Sequence, residues 1–383
     1  MSQIKLPFWR AVGIIFSMIV GSGIFTLPYA VHISGIWWSV VFGTLAFFAV
    51  LSIHIAYGEV VANTREIHRL PGYTKLYLGK FFGYLERLSQ FLGFNTALLI
   101  YGTLGGVFLS IIFGGSAVFW TIIFFAAGST IFFFGNVERI SLVNIVLAIP
   151  LILAIGYISF LSFSHGTLKN LPLTGSDPFF SFSVFVFSLT GLSVIADAKE
   201  LLRNEGEDEV SRASELKSAI TLGTVIPLIL YVTFVISVLM ALGSGVTRDA
   251  LSGLVHVLGR KVVFIGGIIG VLATFSSYLA LGYDLKEIYE LDARLNKNIS
   301  WFLVLLVPVL LFLLAKENFV TLISIVGGFF VSIDGLMVIL ILRKMRANKE
   351  SKIHFLEFGT TYQLCLAAIF MVSMIYEFIY QIF

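Results

Sequence analysis

Charge is scarce in this chain: 12% of its 383 residues are Asp, Glu, Lys or Arg and 58% are hydrophobic, whereas soluble domains carry roughly 25% charged and 45–50% apolar residues. That balance excludes a water-soluble globular fold. Cysteine is nearly absent. Cys365 stands alone in the last apolar segment, which rules out an intrachain disulfide and a thiolate metal site. The histidines, at positions 32, 54, 68, 165, 256 and 354, are scattered without ligand spacing, and only His54 lies clearly within an apolar block. A net charge of +3 with no Lys/Arg-rich patch gives no reason to expect a nucleic-acid partner. Long polar stretches are missing too, because the longest, Asn63 to Lys80 and Arg203 to Lys217, are too short to bury a core of their own.

What the sequence has is unbroken apolar blocks. Alternating strands of about ten residues, as an outer-membrane barrel needs, do not occur. Blocks fall at about 8–32, 37–62, 84–113, 117–134, 140–163, 179–201, 216–242, 258–284, 299–315, 319–342 and 358–381, and about 20 apolar residues suffice to cross about 30 Å of hydrocarbon as a helix. The expectation is an all-α polytopic membrane protein of eleven spans, one transmembrane domain over residues 1–383. The first block lacks a small-residue cleavage site after its basic start and reads as a retained span. With the N-terminus in the cytoplasm and the C-terminus outside, 20 of the 25 Lys and Arg fall on inner loops, and only Lys169, Arg248, Arg260, Lys261 and Lys316 lie outside. This follows the positive-inside rule for a plasma or inner membrane. Glu205, Glu207, Asp208, Glu209 and Glu215 then sit on an inner, solvated helix connection.

Two spans are interrupted at mid-depth. The first carries Val20-Gly21-Ser22-Gly23-Ile24, with Pro28 after it, and the sixth carries Ser188-Leu189-Thr190-Gly191-Leu192-Ser193. Glycine is a poor helix former, and backbone freed in hydrocarbon costs several kcal/mol per group unless a cavity, ligand or neighbour satisfies it. The breaks head two sets of five spans, about 8–163 and 179–345, with an extra helix at about 358–381. Because five is odd, the second set enters the membrane in the opposite sense, which is the inverted-repeat plan of transporters with a midplane site. Close helix packing is the competing use of Gly-x-Gly.

A broken helix offers free carbonyls on one side and free amides on the other, so it suits a zwitterion. The amides around Ser22, Gly23 and Ile24, with Gly21, are expected to take an amino acid carboxylate. Carbonyls near Met18 and Ile19 and of the turn through Phe187, Ser188, Thr190 and Gly191 are expected to take its ammonium. In the eighth span the Ala273 carbonyl converges with the hydroxyls of Ser276 and Ser277. Together with carbonyls of Ser17 and Val20 they would make a five-oxygen site for a hard monovalent cation such as Na+. Serines in membrane helices also commonly bond back to their own helix.

Gly21-Ser22-Gly23-Ile24-Phe25-Thr26-Leu27-Pro28 resembles the first-helix signature of the amino acid/polyamine/organocation superfamily, and Phe187 to Ala198 is similar to the sixth-helix pattern of amino acid/auxin permease-like transporters. The resemblance implies a LeuT-type 5+5 inverted repeat with broken helices 1 and 6, plus an eleventh helix. It also implies sodium bound between the first and eighth helices at positions matching Ser17, Val20, Ala273, Ser276 and Ser277, and places Tyr101 of the third span and Phe187 at the pocket. The chain departs from the commoner sixth-helix pattern at Ser193, Ala196 and Asp197. Proton-coupled relatives often carry an ionisable residue near the cation site, and the fifth span has no Lys, Arg, Asp or Glu.

Two carboxylates are expected within spans as gating or coupling groups. Glu59 is placed near Arg65 and Arg69 as an interfacial gate or a capping charge, and Asp334 as either a coupling carboxylate or a buried hydrogen-bond partner. No nucleophile and base pair stands in the membrane, so an enzyme is not expected, and no cofactor is implied beyond Na+ as the coupling ion. The sequence reading is a secondary active transporter that moves a neutral, apolar or aromatic amino acid with Na+ by alternating access. A proton-coupled permease of the same fold and a transporter-like amino acid sensor are the alternatives.

Overall fold

A computed structural model describes residues 6–134, 137–202, 209–314, 318–348, 350–355, 357 and 359–382. The acidic cluster Glu205, Glu207 and Asp208 lies outside the described residues. In chain order the helices are α1 (Leu6–Ile19), α2 (Gly23–Ser34), α3 (Ile36–Asn63), α4 (Leu70–Leu78), α5 (Lys80–Phe113), α6 (Ala117–Phe134), α7 (Val137–His165), α8 (Phe180–Leu189), α9 (Ile195–Leu201), α10 (Glu209–Leu242), α11 (Leu251–Leu258), α12 (Arg260–Glu287), α13 (Lys297–Leu314), α14 (Phe319–Ile325), α15 (Val331–Ala347) and α16 (Thr360–Ile382). Each of the eleven expected blocks is occupied by helix. Among the described residues nine helices are long and apolar enough to cross a membrane, ten with the bent pair α1 and α2, while Ala117–Ile131 of α6 is a shorter apolar stretch.

Both expected interruptions are present. The α1 and α2 axes meet at 47° across residues 20–22. The sixth span stops at Leu189, runs extended through Thr190 and resumes as a 3-10 turn at Leu192–Val194 before α9. α1 packs on α9 and α2 on α8, so the two broken spans lie antiparallel, half against opposite half. This is the pairing that an inverted repeat requires.

The apolar sequence alone does not rank the spans by depth, and packing does. In the apolar window of the sixth span 89% of residues are buried, against 17% in α13 and 22% in α16. The broken spans therefore form the centre, and α13 and α16 lie at the lipid-facing edge. There Leu313, Leu314 and Phe378 remain exposed, as side chains solvated by hydrocarbon tails can be.

Four features lie beyond the sequence reading. α4 folds within the polar interval 63–80 and buries Leu70, Tyr73 and Thr74 against the bundle. α11 is a short helix on the opposite side, packed on α12 and α10. The eighth span ends in a π-helical turn at Ile288–Asp292, and the tenth carries another at Val326–Phe330. Such turns widen the backbone and free carbonyls locally. The second lies against α8 through Gly327, where a Cβ would strike the Ser183 carbonyl.

Candidate functional site

The N-terminal turn of α2 is built as expected and is fully buried: Ser22, Ile24 and Thr26 are 0% exposed. The hydroxyls of Ser22 and Thr26 have no hydrogen-bond partner among the described residues, beside amides that the first turn of a helix leaves free. Buried polar groups normally find partners, so these two hydroxyls retain hydrogen-bonding capacity at the break. Tyr101 of α5 and Phe187 of α8 come together beside it, with ring centroids 6.2 Å apart. Gly21, Gly23 and Gly191 serve packing as well as the break. A Cβ at Gly21 would strike Ser277, one at Gly23 would strike Ser188, and one at Gly191 would come within 2.9 Å of Ile19. The two readings of Gly-x-Gly that the sequence left open are both true of this site.

Two residues that sequence reasoning did not place hold the breaks in register. The Tyr231 hydroxyl of α10 lies 2.5 Å from the Ile19 carbonyl oxygen and 2.9 Å from that of Ser188. Its single proton serves one of them at a time. The carbonyls expected to meet a ligand ammonium at Ile19 and Ser188 are thus in part occupied by this hydroxyl, and the Ser188 hydroxyl itself donates to the Val184 carbonyl at 2.7 Å. His54, read from sequence as a histidine without a motif, accepts from the Gly191 amide at Nε2 (3.0 Å) and meets the Thr224 hydroxyl at Nδ1 (3.0 Å). Because Thr224 donates to Ile220, the pattern assigns a neutral ring with its proton on Nδ1. Nothing in the sequence signals either partner, since both contacts join residues more than 40 positions apart.

At the α1–α12 contact one of the expected α12 oxygens, that of Ser277, reaches α1. Ser277 Oγ donates to the Ser17 carbonyl at 2.9 Å and approaches that of Met18 at 3.2 Å. Ser276 Oγ donates to the Ala273 carbonyl at 3.0 Å, within its own helix. Ser17, Val20, Ala273, Ser276 and Ser277 are all buried. Val20 closes α1 with its amide on the Phe16 carbonyl, and Gly21 beside it abuts Ser277. One hydroxyl of the pair therefore bridges two spans and the other bonds back locally.

On the side that carries the basic loops, the charges pair differently from the sequence expectation. Glu59 does not meet Arg65 or Arg69. Both its carboxylate oxygens are taken by Arg346 of α15, at 2.8 and 2.7 Å, and the Phe355 amide adds a bond of 2.9 Å. That arrangement ties α3 to α15 and to the segment beyond it. Arg69, which ends the loop after α3, is buried among three carboxylates: Asp197 of α9 at 2.5 Å, Asp284 of α12 at 2.8 Å, and Glu287. Burial weighs against its charge, the three carboxylates outweigh burial, and the guanidinium pKa is raised. Arg69 thus stays protonated at any ordinary pH and clasps the second, sixth and eighth spans together. Asp334 lies in α15 within hydrogen-bonding reach of Glu86 and Gln90 of α5. Sequence reading counted only Glu59 and Asp334 as intramembrane acids, yet Glu86, Asp197, Asp284 and Glu377 are also buried within helices. Their positions near block ends concealed them.

The chain is similar in fold to MhsT solved in complex with L-phenylalanine, at 17% identity over 98% of each chain with a TM-score of 0.69. It is also similar to Mhp1, a nucleobase-cation-symport-1 family transporter, in a closed conformation with bromovinylhydantoin bound, at 14% identity over 97% of this chain and 90% of that one, TM-score 0.67. Inward-facing Mhp1 aligns at 16% identity over 96% of this chain and 88% of that one, TM-score 0.61. The fold is accordingly the LeuT-type 5+5 inverted repeat with an added eleventh helix. No curated protein sequence matches the chain. The sequence profile of the tryptophan/tyrosine permease family matches residues 5–377, nearly the whole length, and the chain belongs to that family.

Proposed function

We propose that this secondary transporter carries a neutral aromatic amino acid, with tryptophan and tyrosine the first candidates, together with Na+ across a plasma or inner membrane, its N-terminus and the Arg69 clasp facing the cytoplasm. The observation that carries this reading is the pair of unpartnered buried hydroxyls, Ser22 and Thr26, at the start of α2 beside the Tyr101–Phe187 ring pair. Helix-start amides and hydroxyls suit the carboxylate of an amino acid, and two neighbouring rings tilted by 43° offer aromatic surface to a flat side chain. The membership in a tryptophan/tyrosine permease family and the fold shared with a protein solved with L-phenylalanine favour the same substrate class. The ammonium goes to the remaining lone pairs of the carbonyls around the sixth-span break.

Support for sodium comes from the oxygens of Ser17, Val20, Ala273, Ser276 and Ser277, since uncharged hard oxygens around a break in α1 suit a monovalent cation. Gly21 lies between Ser277 and Tyr101, with Tyr101 at 3.5 Å from where its Cβ would stand. Cation and substrate then share the same few residues of broken backbone, so each changes the affinity for the other.

Uptake into proteoliposomes of tryptophan, tyrosine, phenylalanine, leucine and lysine, with and without an inward sodium gradient, tests the reading. Accumulation of the aromatic substrates that collapses without sodium is expected. Equal uptake of leucine and lysine would remove the aromatic assignment, and uptake indifferent to sodium would remove the sodium site.

A further inference from the structure

The third and tenth spans meet through acids that the aromatic and sodium sites do not use. Glu86 is 0% and Asp334 7% exposed. Both oxygens of Glu86 and Oδ1 of Asp334 receive no donor among the described residues, although the two carboxyls are within hydrogen-bonding reach of each other. Gln90, one turn along α5 from Glu86 and 3% exposed, reaches Asp334, and its own carbonyl oxygen Oε1 also lacks a donor. Acceptor oxygens thus converge in the protein interior, and among the described residues neither acid is ion-paired with a cation.

Most charged groups on the neighbouring elements have partners elsewhere or face outward. Glu59 of α3 holds Arg346 of α15, Asp284 and Glu287 of α12 hold Arg69, and Lys286 faces Glu290. Glu377 of α16 accepts from Ser324, and Lys75 of α4 is exposed. Two ionised carboxylates side by side in low dielectric repel strongly, and burial of an unpaired charge is costly in itself. One proton between them removes the repulsion and supplies the missing donor.

We propose that Glu86 and Asp334 form a proton-binding site that shares one proton between α5 and α15 and makes transport pH-dependent. Loss of the proton drives the two helices apart. α4 packs on both α5 and α15, and it begins at Leu70, directly after Arg69. Separation of α5 from α15 therefore bears on the segment that carries the clasp. The protonation of the pair stands independently of the substrate and sodium assignments, and only its effect on uptake rests on the transporter reading.

Infrared spectroscopy of the purified protein in lipid nanodiscs, titrated with acid and base, reads the site without transport. A protonated-carboxyl C=O band is expected in the wild type. Glu86→Gln and Asp334→Asn, which keep the shape and lose the acid, should each shift or remove it, and the double variant should abolish it. If Asp334→Asn does not fold, Glu86→Gln gives the same readout. A band unchanged in either single variant or surviving in the double variant overturns the proposal. So does a wild-type band that vanishes on adding sodium at fixed pH, which would make the pair a sodium site. In the uptake arm, at saturating sodium, wild-type transport should fall above its inflection by up to about tenfold per pH unit, the limit for one proton. Each variant should flatten that fall, and a variant profile identical to the wild type also overturns the role in transport. Failure of the aromatic or sodium reading would leave the infrared result intact.

Discussion

At the scale of single residues, Ser276 and Ser277 are chemically the same and structurally distinct. Ser277 reaches across to α1, whereas Ser276 bonds within α12. Ser277→Ala removes an oxygen of the proposed cation site and the bridge to the Ser17 carbonyl together, while leaving a small, well-packed surface. If that ligand contributes about 1–2 kcal/mol, the sodium concentration for half-maximal uptake should rise roughly 5- to 30-fold, 1.4 kcal/mol being tenfold. Ser276→Ala should produce a smaller rise, because its hydroxyl already has a local partner. Sodium titrations of tryptophan uptake by both variants provide the measurement, and an unchanged midpoint in Ser277→Ala would detach that hydroxyl from the ion. Tyr231 and His54 add a different lesson. Each uses one polar atom to hold a broken span, and each is a lone polar residue in an apolar block whose role depends on what faces it.

Among the elements, the two broken spans behave as one unit because Gly23 of one and Gly191 of the other each face a side chain across the break. A Cβ at Gly23 collides with Ser188 of α8, and a Cβ at Gly191 presses on Ile19 of α1. Gly23→Val and Gly191→Val should each abolish uptake by forcing the halves apart at the site. Membrane abundance should remain near normal, since the apolar content that directs insertion is unchanged or increased. Quantifying both in the same cells checks this; normal transport in either variant would show that the breaks tolerate separation. The outcome follows from close approach rather than from positive φ, because neither glycine adopts a left-handed conformation.

For the whole molecule, the Arg69 cluster is the point where the second, sixth and eighth spans are joined at one end of the bundle. Arg69→Ala strands three carboxylates together, and breaking a buried ion pair from one side costs about 3–5 kcal/mol. The variant should have a lower thermal midpoint and a site more open from the cytoplasmic face. In a Cys365→Ser background, Ser22→Cys should react with a membrane-impermeant thiol reagent faster from that face when Arg69→Ala is added. Equal labelling rates would sink the clasp as a closure. The guanidinium itself stays charged at any ordinary pH, so a pH response of this closure could come only through its carboxylates.

The helical class, the eleven apolar blocks and the two breaks were legible in the sequence because each depends on local composition: run length against bilayer thickness, and glycine against helix propensity. The break at Ser22–Ile24 and the Ser276–Ser277 pair could be singled out for the same reason, being contiguous motifs. Partners across the bundle were not. Glu59 lies near Arg65 and Arg69 in sequence and pairs with Arg346, 287 positions away, while Arg69 takes Asp197 at 128 positions. In an all-apolar solvent the hydrophobic pattern that ordinarily marks a helix's inner face carries little information, so the facing of each span is set by packing and by the few buried polar groups that must find one another. Composition therefore determined what this chain is made of and where it yields, and the tertiary structure alone decided which charges close it and which acids were left to share a proton.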